Sequence, residues 1–313
     1  MPSTALGIDA QYRALREEAG LLDRSGRARL TVTGGEAAEF LQGQLTNDVE
    51  SLEPGEGCYA ALLDRKGKIR ADMRVLRIAA DELVLDTEPE AGDLVRRHLD
   101  MYRVGRDADV GAGPEDTVLL SLIGPRSRQL AGDVALAAEH SHAEAGIGGT
   151  RCRAVATDLG VDLFVPGGGA ELRAHLLDAG AEQIEEAAAE IARVEAGRPR
   201  LGREIVEGTM PQEAGINERA VSFDKGCYIG QETVARLHYR GKPNRHLRRL
   251  RPEREVGSGD PVHAGERQVG TVGTAVLSPA EGPLALAILR REAEPGARVI
   301  VGTGTPARVE EIP

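Results

Sequence analysis

The sequence predicts an α+β protein with antiparallel sheets, closed at its C-terminal end by a small all-β unit. Three observations carry this. Strand and helix patterns recur with hairpin signals between the strands, rather than in strict strand–helix alternation. After Pro243 the texture changes to short alternating apolar runs separated by Gly and Pro, as in a small barrel or sandwich. A hydrophobic content of 41% over 313 residues is that of a globular chain with room for two or three packed units.

Leu30-Thr31-Val32-Thr33 alternates as a short strand, and Ala38, Leu41 and Leu45 then fall at helical spacing. Residues 58–63 and 69–75 read as strands around Asp64-Arg65-Lys66-Gly67-Lys68, whose charge and Gly suit a hairpin turn. Leu83-Val84-Leu85 is a third strand, leading through Pro89 into a helix that ends near Gly105. The order then echoes itself, with strands at 118–123, 152–156 and 161–165 and a helix at 171–179. Residues 183–196 form a further helix. Apolar runs at 247–250, 269–276, 284–289 and 299–301 build the last unit beyond a linker at Gly241-Lys242-Pro243.

Composition narrows the function. Aromatics at 3% with no Trp leave the cores to Val, Leu, Ile and Ala. Cys58, Cys152 and Cys227 are odd in number and far apart, which argues against a disulfide framework or a Cys-x-x-Cys metal site and suits a reducing cytoplasm. Cys58 and Cys152 fall within strand patterns as packing residues. The first thirty residues show no secretory signal, and no run approaches the roughly 20 apolar residues of a membrane span. A net charge of −11 disfavours general nucleic-acid binding. One stretch departs from that acidity: Arg236, Arg240, Lys242, Arg245, Arg248, Arg249, Arg251 and Arg254 meet only Glu253. It reads either as a solvated strand face or as a rim for an anion.

Asp224-Lys225-Gly226-Cys227-Tyr228-Ile229-Gly230-Gln231-Glu232 concentrates a cation, a thiol, a phenol, an amide and carboxylates just before a helical turn. Unpaired N–H groups at a helix start, with Lys225, favour a thiolate at Cys227; a small buried structural Cys is the other reading. Glu232 and Arg236, four apart, are placed to pair on one helix face. Glu195 shares an apolar stripe with Ile184, Ala188 and Ile191 near a helix end marked by Gly197. An inward carboxylate there needs a partner, either an Arg such as Arg193, Arg198 or Arg203 or a ligand donor. Asp72 alternates with Ile69, Ala71 and Met73 and faces either a channel or water. Gln44, Thr46, Asn47 and Asp48 offer polar groups after the first helix, in residues equally suited to a turn. His140-x-His142 has no accompanying metal-ligand pattern.

Lys225 to Glu232, continued by Ala235-Arg236, resembles the hallmark of the YgfZ-type folate-binding proteins, relatives of the aminomethyltransferase (T-protein) of the glycine cleavage system. Phe40-Leu41-Gln42-Gly43-Gln44-Leu45-Thr46-Asn47-Asp48 and Arg193-Val194-Glu195-Ala196-Gly197 are similar to the same family, so the resemblance spans most of the chain. It implies an α+β, three-domain T-protein-like ring with a C-terminal β-barrel around a central channel for tetrahydrofolate or a one-carbon derivative. On that scheme residues 1–50 and 112–242 form α+β domains lining the channel, 51–111 a hairpin-plus-helix unit of the second α+β domain, and 243–313 the barrel. Glu195 is then expected to accept hydrogen bonds from the pterin, with Lys225, Tyr228, Gln231, Arg236 and Asn47 as further cofactor contacts. Cys227 and Asp72 are the implied catalytic residues, although transferases of the family carry two consecutive Asp where this chain has Ala71-Asp72. The implied role is support of iron–sulfur cluster assembly or repair in the cytoplasm, with assembly proteins or client enzymes, among them tRNA-modifying ones, as partners. A folate-dependent aminomethyltransferase or demethylase, and a non-enzymatic folate-sensing scaffold, are the other readings.

Overall fold

The computed structural model describes residues 7–113 and 116–313; the first six residues of the 1–50 segment, and 114 and 115 of the 112–242 segment, lie outside them. The chain divides into two compact units. One holds residues up to 62, 71–189 and 224–228, and the other 63–70, 190–223 and 229–313.

The elements of the first unit follow one another as α1 (Ile8–Glu17), β1 (Gly20–Asp23), β2 (Ala28–Thr33), α2 (Ala37–Gln44), β3 (Gly57–Leu63), β4 (Ile69–Ala79), β5 (Glu82–Thr87), α3 (Pro89–Tyr102), β6 (Asp109–Ala112), β7 (Thr117–Ile123), α4 (Ser127–Leu130), β8 (His142–Ile147), β9 (Thr150–Ala156), β10 (Gly160–Pro166), α5 (Ala170–Asp178) and β11 (Glu182–Gln183). They form two sheets, one ordered β3-β4-β5-β2-β6 and the other β11-β1-β7-β10-β9-β8. The N-terminal segment is thereby split: β1 joins strands from 117–183, whereas β2 joins strands from 57–112. This partition is finer than the grouping of 1–50 with 112–242. β1 pairs with β7, β7 with β10, β10 with β9, β9 with β8, β4 with β5, β5 with β2 and β2 with β6 antiparallel, and β1 with β11 parallel.

Residues 71–76 of β4 are buried without alternation, as expected of a strand covered on both faces. Leu76, Leu119, Val155 and Phe164 join the two sheets in one cluster. Pro89 opens α3 at a position where its missing N–H costs nothing. The larger core, around Leu21, Leu120, Leu163, Leu172 and Leu176, contains no aromatic ring, in keeping with the composition. α1 escaped the periodicity reading because its buried face mixes Gln11 and Tyr12 with Ala14 and Leu15.

Helix α6 (Glu186–Glu195) buries Ala188, Ile191 and Val194. The second unit continues with α7 (Asn217–Ala220), α8 (Gln231–Arg240) and six strands: β12 (Arg245–Pro252), β13 (Pro261–Ala264), β14 (Arg267–Ser278), β15 (Gly282–Arg290), β16 (Arg298–Val301) and β17 (Thr305–Glu310). These close into a barrel in the order β12-β15-β14-β13-β16-β17. Leu250, Val262, Val272, Ala285, Ala287, Leu289, Val301 and Val309 fill it. A bulge between Val272 and Thr274 adds the local twist that closure of the long β14 requires. Two glycines of the signature segments are required by their backbones. Gly230 caps α8 at φ 88°, where a Cβ would stand 2.5 Å from Asp64 O, and Gly197 turns at φ 66°, where a Cβ would meet Ile312 at 2.3 Å. Among the described residues no helix is long and apolar enough to cross a membrane.

Candidate functional site

Two of the signature segments meet in the first unit, and Lys225 joins them. The last carbonyls of a helix have no partner within it, and α2 ends at Gln44. Lys225 Nζ donates to Gln42 O at 2.7 Å, Leu45 O at 2.8 Å and Asn47 O at 2.6 Å, so all three ammonium protons are used and a cation sits at the negative end of the helix. Burial pulls the pKa of this amine down to about 8, while Asp48 works in the other direction. The ammonium thus serves to hold the loop, where the sequence suggested cofactor contact.

The residues beside it are fixed too. Gln42 Oε1 accepts from Val49 N and its amide donates to Asp48, and Asn47 Nδ2 donates to Tyr59 O at 2.8 Å. Asn47 Oδ1 accepts from Asp48 N. Asn47 therefore builds the turn in which Lys225 is anchored. Its place as a folate contact has no separate support from this geometry.

Tyr228 lies buried in the same loop with Lys225 Nζ 5.3 Å from its ring centroid. Burial pushes the phenol up to about 12, and among the described residues its buried hydroxyl has no hydrogen-bond partner. Cys227 is exposed. Cys58 on β3 is half-buried and pushed up to about 12 by burial, with the Lys225 ammonium opposing that rise. Read from the sequence as a packing residue, Cys58 is drawn into the site region by the fold; Cys152 is buried in the core as expected.

Asp72 on β4 is buried, and Tyr59 Oη from β3 donates to its Oδ2. Of the two surroundings open to it in the sequence, bulk water does not describe this position. Sequence reasoning missed Tyr59, and no local pattern pointed from it to Asp72. His142 bonds Glu56 O and Arg153, and burial with the nearby guanidinium lowers its pKa to about 4.

In the second unit Glu195 is half-buried and its Oε1 accepts from Ser278 Oγ at 2.5 Å. Ser278 Oγ itself accepts from Ala280 N and Glu281 N, which directs its hydrogen at the carboxylate and fixes the carboxylate's orientation. The expected Arg193 goes elsewhere: it bonds Glu190, Glu204 and Thr274, because those acceptors cluster on its own side of the helix. Ser278, 83 residues away in sequence, gave no signal. Glu232 and Arg236 are both exposed on α8 and do not pair, and Gln231 opens that helix half-buried. Three of the eight basic residues of this stretch are matched by carboxylates: Arg245 by Glu213, and Arg249 and Arg251 by Glu281 and Glu310. Arg236, Arg240, Lys242 and Arg254 are exposed. A cleft of about 540 Å³ between residues 203–209 and β14–β15 is lined by none of the candidate site residues.

Comparison with known proteins follows the same lines. A family model, the GCVT N-terminal domain, matches residues 2–225. The aminomethyltransferase of Rubrobacter xylanophilus is 29% identical over 100% of this chain and 87% of its own. The tRNA-modifying protein YgfZ of Vibrio vulnificus is 30% identical over 80% of this chain and 75% of its own. The solved glycine cleavage system aminomethyltransferase T from Bartonella henselae shares the fold, with a TM-score of 0.88 at 24% identity over 98% of this chain and 89% of that one.

Proposed function

The chain belongs to the GCVT N-terminal domain family as a YgfZ-type relative of the aminomethyltransferases, and on that premise we propose that it binds tetrahydrofolate or a one-carbon derivative. The observation that carries this reading is the Tyr228 hydroxyl, buried in the signature loop with no protein partner. Such a group costs about 1–3 kcal/mol, which a bound molecule with a carbonyl or ring-nitrogen acceptor offsets. Folate carries both kinds of acceptor on its pterin. In the second unit, taken by itself, Glu195 is a carboxylate acceptor oriented by Ser278, of the kind an N–H edge suits.

Tyr228→Phe separates this reading from a purely structural one. Removing an unanswered hydroxyl is expected to raise the stability of the free protein, while tetrahydrofolate affinity measured by calorimetry falls about five- to tenfold for one lost hydrogen bond. Unchanged affinity in a stabilised variant counts against the pocket.

The cellular role follows as support of iron–sulfur cluster assembly or repair, with the exposed Cys227 as its reactive group and cluster-dependent enzymes as clients. Cys227→Ala is expected to keep the unfolding curve and folate affinity of the native protein and to abolish the activity of those enzymes in cells that depend on it. Full activity would remove the thiol from the mechanism. A second reading, aminomethyl transfer, is favoured by the buried Asp72–Tyr59 pair. Formation of methylene-tetrahydrofolate from an aminomethylated lipoyl carrier decides between the two.

A further inference from the structure

The cleft on the barrel holds cations that the protein itself leaves unmatched. β12 and β15 pair with Arg245 directly opposite Arg290, and like charges so placed repel. Ala287 and Leu289 fill the barrel interior, so the two-residue alternation of β15 sets Ile288 and Arg290 on its outer face, where both line the cleft. Arg203, from the segment that forms the other wall, is the third guanidinium. All three belong to the second unit.

The nearby carboxylates are engaged elsewhere. Glu213 takes Arg245 in a two-pronged pair, with Nε at 3.0 Å and Nη2 at 2.9 Å, and Gly208 O accepts from the same Nη2 at 3.2 Å. The plane of that guanidinium is therefore fixed. Glu204 also lines the cleft, but it is buried and its Oε2 accepts from Arg193 Nη1 and Arg200 N, both at 3.0 Å. Glu292, two residues beyond Arg290, pairs with Arg267. Among the described residues the guanidinium groups of Arg203 and Arg290 have neither an ion pair nor a hydrogen bond, and both residues are exposed.

The rest of the wall has the mixed character of a small-molecule site. Half-exposed Val206 and Ile288 offer apolar surface beside the charges. The β14 bulge leaves Gly273 without a residue opposite it on β15, and a Cβ there would stand 2.8 Å from Glu204 Oε1, so this part of the wall stays bare backbone. A volume of about 540 Å³ falls within the range of roughly 300–1,000 Å³ in which small organic ligands are held.

We propose that this cleft binds the phosphate monoester of a small organic molecule, with the phosphate between Arg203, Arg245 and Arg290 and the carbon skeleton against Val206 and Ile288. A phosphate monoester carries a charge of about −1.5 to −2 near pH 7, which answers two unmatched guanidinium groups; a carboxylate answers one. Guanidinium forks meet phosphate oxygens in pairs, and an anion between Arg245 and Arg290 also relieves their mutual repulsion. None of the residues assigned to folate lines the cleft, so this site stands apart from that reading.

The test is calorimetric titration of the full chain, without folate and at low ionic strength, using phenyl phosphate, inorganic phosphate and benzoate as probes. Phenyl phosphate is expected to bind most tightly of the three. Arg203→Gln and Arg290→Gln are each expected to weaken it about tenfold, as the loss of a charge-assisted hydrogen bond does. Arg290→Gln is also expected to keep or raise the thermal midpoint of the free protein, because one of two opposed like charges is gone. Absence of saturable phenyl phosphate binding to the native protein overturns the proposal, and so does equal affinity in native, Arg203→Gln and Arg290→Gln proteins. Benzoate bound as tightly as phenyl phosphate overturns the assignment of a doubly charged group; inorganic phosphate bound as tightly overturns that of an organic body.

Discussion

Replacing Lys225 with Met is expected to lower the thermal midpoint of the protein by about 6–12 °C and to expose the 42–47 segment to proteolysis. Methionine preserves length and burial but removes the three donors that meet Gln42, Leu45 and Asn47. Hydrogen bonds to a charged group contribute roughly 1.5–3 kcal/mol each, and part of that sum is offset by the cost of burying the ammonium, leaving about 3 kcal/mol. In a unit of this size each kcal/mol moves the midpoint by about 2–4 °C. Lys225→Arg is expected to recover only part of the loss, because a planar fork does not direct three N–H groups at three converging carbonyls as an ammonium does. Calorimetry and limited thermolysin digestion, which can cleave before Leu45, measure both effects. A midpoint within about 2 °C of native shows that the three carbonyls find other partners and that the lysine does not hold the loop.

Glu195→Gln is expected to weaken tetrahydrofolate binding by about 10–100-fold while leaving the fold intact. The amide oxygen of Gln still accepts from Ser278 Oγ, so the contact within the second unit survives and only the charge is lost. A carboxylate facing ring N–H groups gains about 1.5–3 kcal/mol over a neutral acceptor, which sets the size of the effect. Ser278→Ala keeps the charge but removes one hydrogen bond that orients the carboxylate, and its expected loss is smaller. Calorimetric titration of native, Glu195→Gln and Ser278→Ala proteins gives the order; equal affinity for all three removes Glu195 from the binding site.

The elements with strong local signals were legible in the sequence. The strand–turn–strand of 58–75 follows from alternation around a charged turn, α3 from Pro89 and its apolar spacing, and the terminal barrel from short Val- and Leu-rich runs between glycines. β13 and β17 were missed because each is short and half polar, and they are fixed by barrel closure rather than by their own pattern. The signature loop was legible as a place, less so as a set of roles. Lys225 was recognisable as a cation near a thiol, but its three acceptors come from a segment about 180 residues earlier, and no local rule connects them. Asp72 was legible as an acid on a strand; its burial against Tyr59 emerges only from the fold. Glu195 likewise sat on the apolar stripe as expected, while its partner was settled by a turn in the barrel.

The six-stranded barrel has a consequence for how other macromolecules can engage it. Every strand has two hydrogen-bonded neighbours, so no strand presents a wholly vacant row of N–H and C=O groups along the circumference. An incoming peptide finds no full-length edge to extend, and a companion that grips the C-terminal portion is expected to read chiefly side chains.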